Sequence, residues 1–302
     1  MKRVLVTGAS GFIGRQVLAP LLASGYEVHA VARRCAPSAG IAWHCADLLE
    51  PGSARRVLDA VRPSHLLHLA WYAEHGKFWS AAENYAWVGA TLELLRAFAD
   101  AGGRRAVAAG TCAEYDVRYG YCDESITPTA PANDYGVCKN AMRALFDAYC
   151  ARRGVSGAWG RLFHLYGPHE HPARLVASVA RSLLQDEDAA CSHGRQLRDF
   201  LHVADSAAAL VALLDSDVTG AVNIGSGQAV SIGEVARRLA LLAGRPQRLQ
   251  LGARPAPAGE PPVLIAATRR LHEEVGWRPR HGLDAGLQLT LDWWRNELKS
   301  PA

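Results

Sequence analysis

The stretch KRVLVTGASGFIG sets Gly8, Gly11 and Gly14 between a short apolar run and an amphipathic one. Glycines at this spacing inform only in that context, after a strand and before a helix. Gly8 supplies a tight turn, Gly11 opens the backbone N–H groups to a ligand, and Gly14 lets helix and strand pack closely. The helix begins at Gly14, but Pro20 falls inside it and costs a hydrogen bond, so the helix kinks or its boundary lies elsewhere.

Further β-branched or apolar runs recur between amphipathic stretches: EVHAVA, IAWHCAD, SHLLHLA, RAVAAGT and GAWGRLF. Strands without polar alternation imply a parallel sheet covered on both faces, joined by right-handed crossovers. The predicted fold is α/β, a doubly wound Rossmann sheet with a smaller, interleaved C-terminal lobe. Residues 1–162 are assigned to the Rossmann domain and 163–302 mainly to the lobe, where YGPHEHP and RPAPAGEPP break the periodicity. FLHV near Phe200 and GAVNIG near Gly220 read as strands in a segment, near 197–226, that returns to the main sheet. Leu283, Leu287, Leu291, Trp294 and Leu298 mark one packed face of a terminal helix.

A net charge of +4 over 302 residues, with basic residues scattered, does not suit a nucleic-acid binder. No apolar run is long enough to span a membrane, and Lys2 and Arg3 lead straight into a strand, so the expectation is a cytoplasmic protein without a membrane partner. The seven cysteines lack metal-ligand spacing and are read as reduced thiols, and no metal site is expected.

The glycine turn, followed by a helix whose N-terminus attracts anions, points to the diphosphate of a dinucleotide. The expected contacts are Gly8, Ser10, Gly11, Phe12, Ile13 and Gly14 at the turn, with Asp47, Leu48, Leu69 and Ala70 at neighbouring strand ends. An NAD site commonly ends its second strand in an acid that takes the ribose hydroxyls. Here Ala32 ends the strand and Arg33 and Arg34 follow, suited to a 2′-phosphate, so NADP is expected over NAD.

PANDYGVCKNAMRALF opens a helix capped by Asn133 or Asp134, with Tyr135 and Lys139 on one face. Such a pair does acid–base chemistry if the ammonium stabilises the phenolate. With HLA at 68–70, ENYAWVGAT containing Asn84, RLFHLYGP, RDFLHV, NIGSG and VGWRP, the chain resembles the extended short-chain dehydrogenases/reductases: nucleotide-sugar epimerases, dehydratases and ketoreductases. The resemblance implies that Tyr135 is the proton donor or acceptor, that Lys139 holds the nicotinamide ribose and lowers the tyrosine pKa, and that Thr111 hydrogen-bonds the reacting oxygen.

The family's dehydratases usually carry acids immediately after that threonine. Here stand Cys112 and Ala113, with Glu114 offset to the other side, which disfavours dehydration. The main expectation is an NADPH-dependent reductase of a nucleotide-linked keto-deoxy sugar. The alternatives are a 4-epimerase using the same residues and a non-catalytic dinucleotide-binding protein. Trp71, His164, Arg198 and Arg254 are the expected substrate contacts, Arg198 and Arg254 being equally suited to ion pairs with Asp199 or Glu260. A homodimer built on the Tyr135 helix is also implied, with Leu145 and Phe146 as contributors to it or, equally, as core residues.

Overall fold

Strands that bury both faces need helices on both sides, and the main sheet is built that way. The structure, a computed structural model, describes residues 2–35, 38–256 and 259–299. Strands β1 (Arg3–Thr7), β2 (Glu27–Ala32), β3 (Ile41–Cys45), β4 (His65–His68), β5 (Arg105–Thr111), β7 (Ser156–Leu162) and β11 (Gly220–Ile224) form it. All pair in parallel, in the order β11-β7-β5-β4-β1-β2-β3.

Successive residues of β1 serve opposite cores. Val4 and Val6 pack with Val17 and Leu21 of α1 (Gly14–Ala23) and with Leu210 and Leu213 of α6 (Val203–Asp215). Leu5 faces Leu58 of α2 (Ser53–Val61), Leu94 and Phe98 of α3 (Glu83–Asp100), and Met142 and Phe146 of α4 (Asp134–Arg153). Both sides are dry, so the strands tolerate no polar alternation. Phe146 is buried in this core, which removes it from the expected dimer surface, whereas Leu145 is 43% exposed.

The second lobe has its own sheet. Strands β12 (Ala229–Ser231), β10 (Leu197–His202), β14 (Val263–Ala266) and β6 (Tyr121–Cys122) lie in that order, and β8 (His164–Tyr166) pairs with β10. A smaller pair joins β9 (Ala189–Cys191) to β13 (Leu249–Leu251). Helices α5 (Leu175–Leu184), α7 (Ile232–Leu242) and α8 (Leu283–Glu297) share a core in which Leu287, Leu291 and Trp294 are buried. GAVNIG thus returns to the main sheet as β11. FLHV does not: β10 stays in the lobe, where β12 and β14 flank its first residues and β8 pairs with Phe200, Leu201 and His202.

The helix after Gly14 does run through Pro20, to Ala23. The reading of all seven cysteines as reduced thiols is corrected. Cys35 and Cys45 are disulfide-bonded with their Cα atoms 5.6 Å apart, while the other five cysteines are free. Adjacent parallel β2 and β3 explain the pairing: Ala32 lies opposite Cys45, and the chain beyond Ala32 brings Cys35 alongside. Of the Pro-rich segment, Pro257 and Ala258 lie outside the described residues. No described helix is long and apolar enough to cross a membrane.

Gly14 shows how tightly the first turn is packed. A Cβ there would lie 2.7 Å from Ala9 Cα and 2.8 Å from the Gly8 carbonyl carbon, and backbone cannot yield as a side chain can. Gly14→Ala should therefore cost about 1–3 kcal/mol of stability, the range for overpacking, as read by denaturant unfolding.

Candidate active site

Between β1 and β4 the strand order reverses direction, and the C-terminal ends of these strands frame the crevice where open α/β sheets hold their ligands. Gly8 turns there with φ +68°, and a Cβ on it would meet Ala70 N at 2.8 Å. The backbone N–H groups of Leu69 and Ala70 donate to Thr7 Oγ1, each at 3.2 Å, which draws the β4 end against the turn. No side chain caps α1, so its first N–H groups are available to an anion. The crowded glycine turn and uncapped helix fit a dinucleotide diphosphate.

The other expected cofactor residues divide. Arg33 and Arg34 are exposed beyond β2. Asp47 Oδ1 accepts from Leu49 N at 3.0 Å, and Leu48 is buried in the core beneath α2.

Thr111 ends β5, and its hydroxyl accepts from Ala113 N at 3.2 Å. Glu114 turns inward, as its offset implies, and is fully buried. Its Oε1 accepts from Thr111 N at 2.9 Å and Trp159 Nε1 at 2.8 Å, and its Oε2 accepts from Arg161 Nε at 2.7 Å. That carboxylate is committed to structure. Burial pushes the neighbouring Cys112 thiol up to about 12, so it stays protonated at neutral pH.

Helix α4 starts at the Asn133 cap, whose Oδ1 accepts from Gly136 N at 2.9 Å. It carries Tyr135 and Lys139 to the β5 end. Lys139 Nζ donates to the Ala109 carbonyl at 2.8 Å and lies 3.9 Å from the Trp71 ring centroid and 6.0 Å from that of Tyr135. Burial lowers the Lys139 pKa to about 7, with Glu114 pulling it back up. Burial also raises that of Tyr135, against the lowering effect of its Thr111 hydrogen bond. The expected lowering of Tyr135 by Lys139 is therefore overridden, because desolvation of the phenolate outweighs its polar neighbours.

On the lobe side, His164 opens β8 beside Phe200, with Nδ1 buried and unpartnered. Burial first, then repulsion from Arg198 and Arg174, depresses it to about 3, so it is neutral near pH 7. Arg198 is 2% exposed and bound to Glu260, Nη2 to Oε1, at 2.7 Å. The ion-pair reading of Arg198 is the one the structure displays. Arg254 is exposed after β13 and held through its backbone N–H to the Cys191 carbonyl at 3.1 Å. Among the described residues no cluster of three His, Cys, Asp or Glu could hold a metal ion.

Sequence reasoning passed over Arg174, the N-cap residue of α5, which pairs with Glu170 at 3.2 Å. Its charge lowers the pKa of both Tyr135 and His164, as a smaller effect than their burial. A cation at a helix N-terminus opposes the helix dipole, and that anomaly was available as a signal. Phe78 and Trp79, whose rings meet Tyr135, were also missed and carried no signal in spacing.

A doubly wound sheet with Thr111, Tyr135 and Lys139 at its crevice defines an enzyme of the extended short-chain dehydrogenase/reductase type. The chain belongs to the NAD dependent epimerase/dehydratase family, whose model matches residues 4–225. It is 28% identical to a UDP-glucose 4-epimerase of Streptomyces lividans, covering 97% of this chain and 95% of that one. The solved structure of MoeE5 with UDP-glucose and NAD is 32% identical, with TM-score 0.87, covering 98% of this chain and 100% of that one. The UDP-glucose 4-epimerase of Thermus thermophilus, solved as a complex with NAD, is 27% identical, with TM-score 0.85 and coverage of 97% and 99%. Other relatives bear the names of a UDP-glucuronic acid decarboxylase and a dTDP-D-glucose 4,6-dehydratase.

Removing the Glu114 carboxylate leaves Arg161 buried without its counter-ion and strips the acceptor from Thr111 N. Glu114→Ala should therefore cost about 3–5 kcal/mol, the range for breaking a buried pair, measured by denaturant unfolding. A loss below about 1 kcal/mol would contradict this role.

Proposed function

We propose that this enzyme is a nucleotide-sugar 4-epimerase working with NAD. The observation that carries the reading is the Thr111, Tyr135 and Lys139 set at the crevice, with Glu114 withdrawn from it and Cys112 held as a thiol. No second acid is thereby left beside Thr111 for water removal. The relatives support epimerisation over reduction, and four of the solved structures are complexes with NAD. The NADP expectation was also the reason for preferring a reductase.

In this proposal residues 1–162 chiefly hold the dinucleotide and 163–302 the nucleotide sugar. When bound, nicotinamide supplies the oxidant that takes hydride from one sugar carbon and the reductant that restores it to the other face. Tyr135 takes this part as phenolate, the form that the Lys139 charge favours against the raised pKa of the buried phenol: it accepts the proton of the sugar hydroxyl as the carbonyl forms and, now a phenol, returns it as the carbonyl is reduced. Thr111 donates a hydrogen bond to that oxygen and Lys139 brings positive charge to the phenol. His164, with its buried and unpartnered Nδ1, is the candidate contact to the nucleotide sugar on the lobe side.

An NADPH-dependent keto-sugar reductase keeps one observation in its favour: Ala32 ends β2, and exposed Arg33 and Arg34 follow. One experiment separates the two. Incubated with NAD and UDP-galactose, the protein should form UDP-glucose with no net change in reduced cofactor, and Tyr135→Phe should slow this about 10²–10⁴-fold while still binding the nucleotide sugar. Stoichiometric NADPH consumption with a nucleotide keto-sugar, and no interconversion, would establish the reductase instead.

The pH profile has a definite sign. Lys139, with its pKa near 7, is an ammonium below that value and an amine above it, so kcat/KM should fall as pH rises past about 7. His164, held near 3, stays neutral across this range, and His164→Asn should leave the alkaline limb where it is.

A further inference from the structure

The segment between β4 and α3 is tied down by one side chain. Asn84 is fully buried; its Oδ1 accepts from Trp71 Nε1 at 2.8 Å, and its Nδ2 donates to the carbonyls of Phe78 at 2.7 Å and Ala81 at 2.9 Å. These bonds set Trp71 over the Lys139 ammonium and bring a one-turn 3₁₀ helix, Phe78–Ser80, against Tyr135. Phe78 and Trp79 lie 4.3 Å apart and meet the Tyr135 ring edge-on, at 4.9 Å and 5.9 Å between centroids. Neither belongs to the two cores flanking the main sheet, and Trp79 is 45% exposed. Core packing does not explain this pair.

We propose that Phe78 and Trp79 are specificity-determining residues that form an apolar wall of the sugar pocket and select a 6-deoxyhexosyl nucleotide over its hydroxymethyl counterpart. This rests on the nucleotide-sugar reading above and concerns which sugar is taken, not which reaction follows. A sugar presenting its C4 oxygen to Tyr135 sets its C5 substituent beside the reacting carbon, within reach of rings that already touch the phenol. Phe78 offers no hydrogen-bond donor or acceptor, and Trp79 only one indole N–H. A hydroxyl pressed against them surrenders water without a full replacement, whereas a methyl buries apolar area. An apolar pocket discriminates against an added hydroxyl by about 10–100-fold, the scale expected here.

The test reads binding rather than turnover, using Tyr135→Phe so that no chemistry occurs. Calorimetry with UDP-6-deoxyglucose and UDP-glucose, NAD present, should show the deoxy sugar bound at least about tenfold tighter. Phe78→Ala and Trp79→Ala, checked for an unchanged circular dichroism spectrum, should each reduce that preference, and the double variant should abolish it. Phe78→Leu keeps an apolar wall and should retain most of it. Equal affinities in the parent, a preference that survives the double variant, or failure to bind either sugar would overturn the proposal. Absence of epimerase turnover in the unmodified protein would instead count against the 4-epimerase reading and leave this binding comparison intact.

Discussion

The Glu114 carboxylate is sealed between β5 and β7, and the chemistry of the crevice hangs on how it is satisfied. A buried charge is tolerated only when its oxygens are fully engaged, and this one accepts from a guanidinium, an indole and a backbone N–H. Each bond orients something different. The backbone bond fixes where β5 stops and hence where Thr111 stands. The indole bond holds Trp159, whose ring packs 5.6 Å from Phe146 of α4, the helix that carries Tyr135 and Lys139. Arg161 completes the charge balance and lies over the Tyr115 ring at 4.3 Å. Because Glu114 also acts electrostatically on Tyr135 and Lys139, its fixed position sets part of the background against which both titrate.

The main sheet was legible because its signals are local: apolar runs, a glycine turn and helix caps. The Asn133 cap and the inward face of the terminal helix follow from spacing alone. What failed were properties of neighbours distant in sequence. Nothing in FLHV distinguishes a strand of the main sheet from one that joins β8 and β14. The partnership of Cys35 with Cys45 depends on β2 and β3 being adjacent, not on a cysteine motif. Phe146 sits at a position as suited to an interface as to a core, and only the packing of Trp159 decides.

The candidate site shows the same division. Thr111, Tyr135 and Lys139 could be picked out because the motifs around them resemble those of the extended short-chain dehydrogenases/reductases, with Thr111 at the end of a strand and Tyr135 and Lys139 four residues apart on one helix. Their electrostatics could not, since desolvation is a property of the assembled crevice: burial lowers Lys139 and raises Tyr135 whatever the four-residue spacing suggests. For Arg198 the sequence left a substrate contact and an ion pair equally open, and only the fold shows that Glu260, 62 residues away, occupies it. Arg174, absent from any motif, acts on Tyr135 and His164 because the fold brings the start of α5 near both.

The path of the chain between the lobes has a mechanical consequence. After β5 it enters the lobe sheet as β6, returns through α4 and β7, leaves again at β8, and comes back as α6 and β11 before leaving once more. Two bodies joined by a single linker can swing apart on a hinge; two bodies laced by repeated crossings resist that swing, because every crossing would have to bend at once. A ligand entering between them would then have to rely on short segments at the rim, such as the aromatic stretch after β4. The main sheet, with Thr111 at the end of β5, would not need to move.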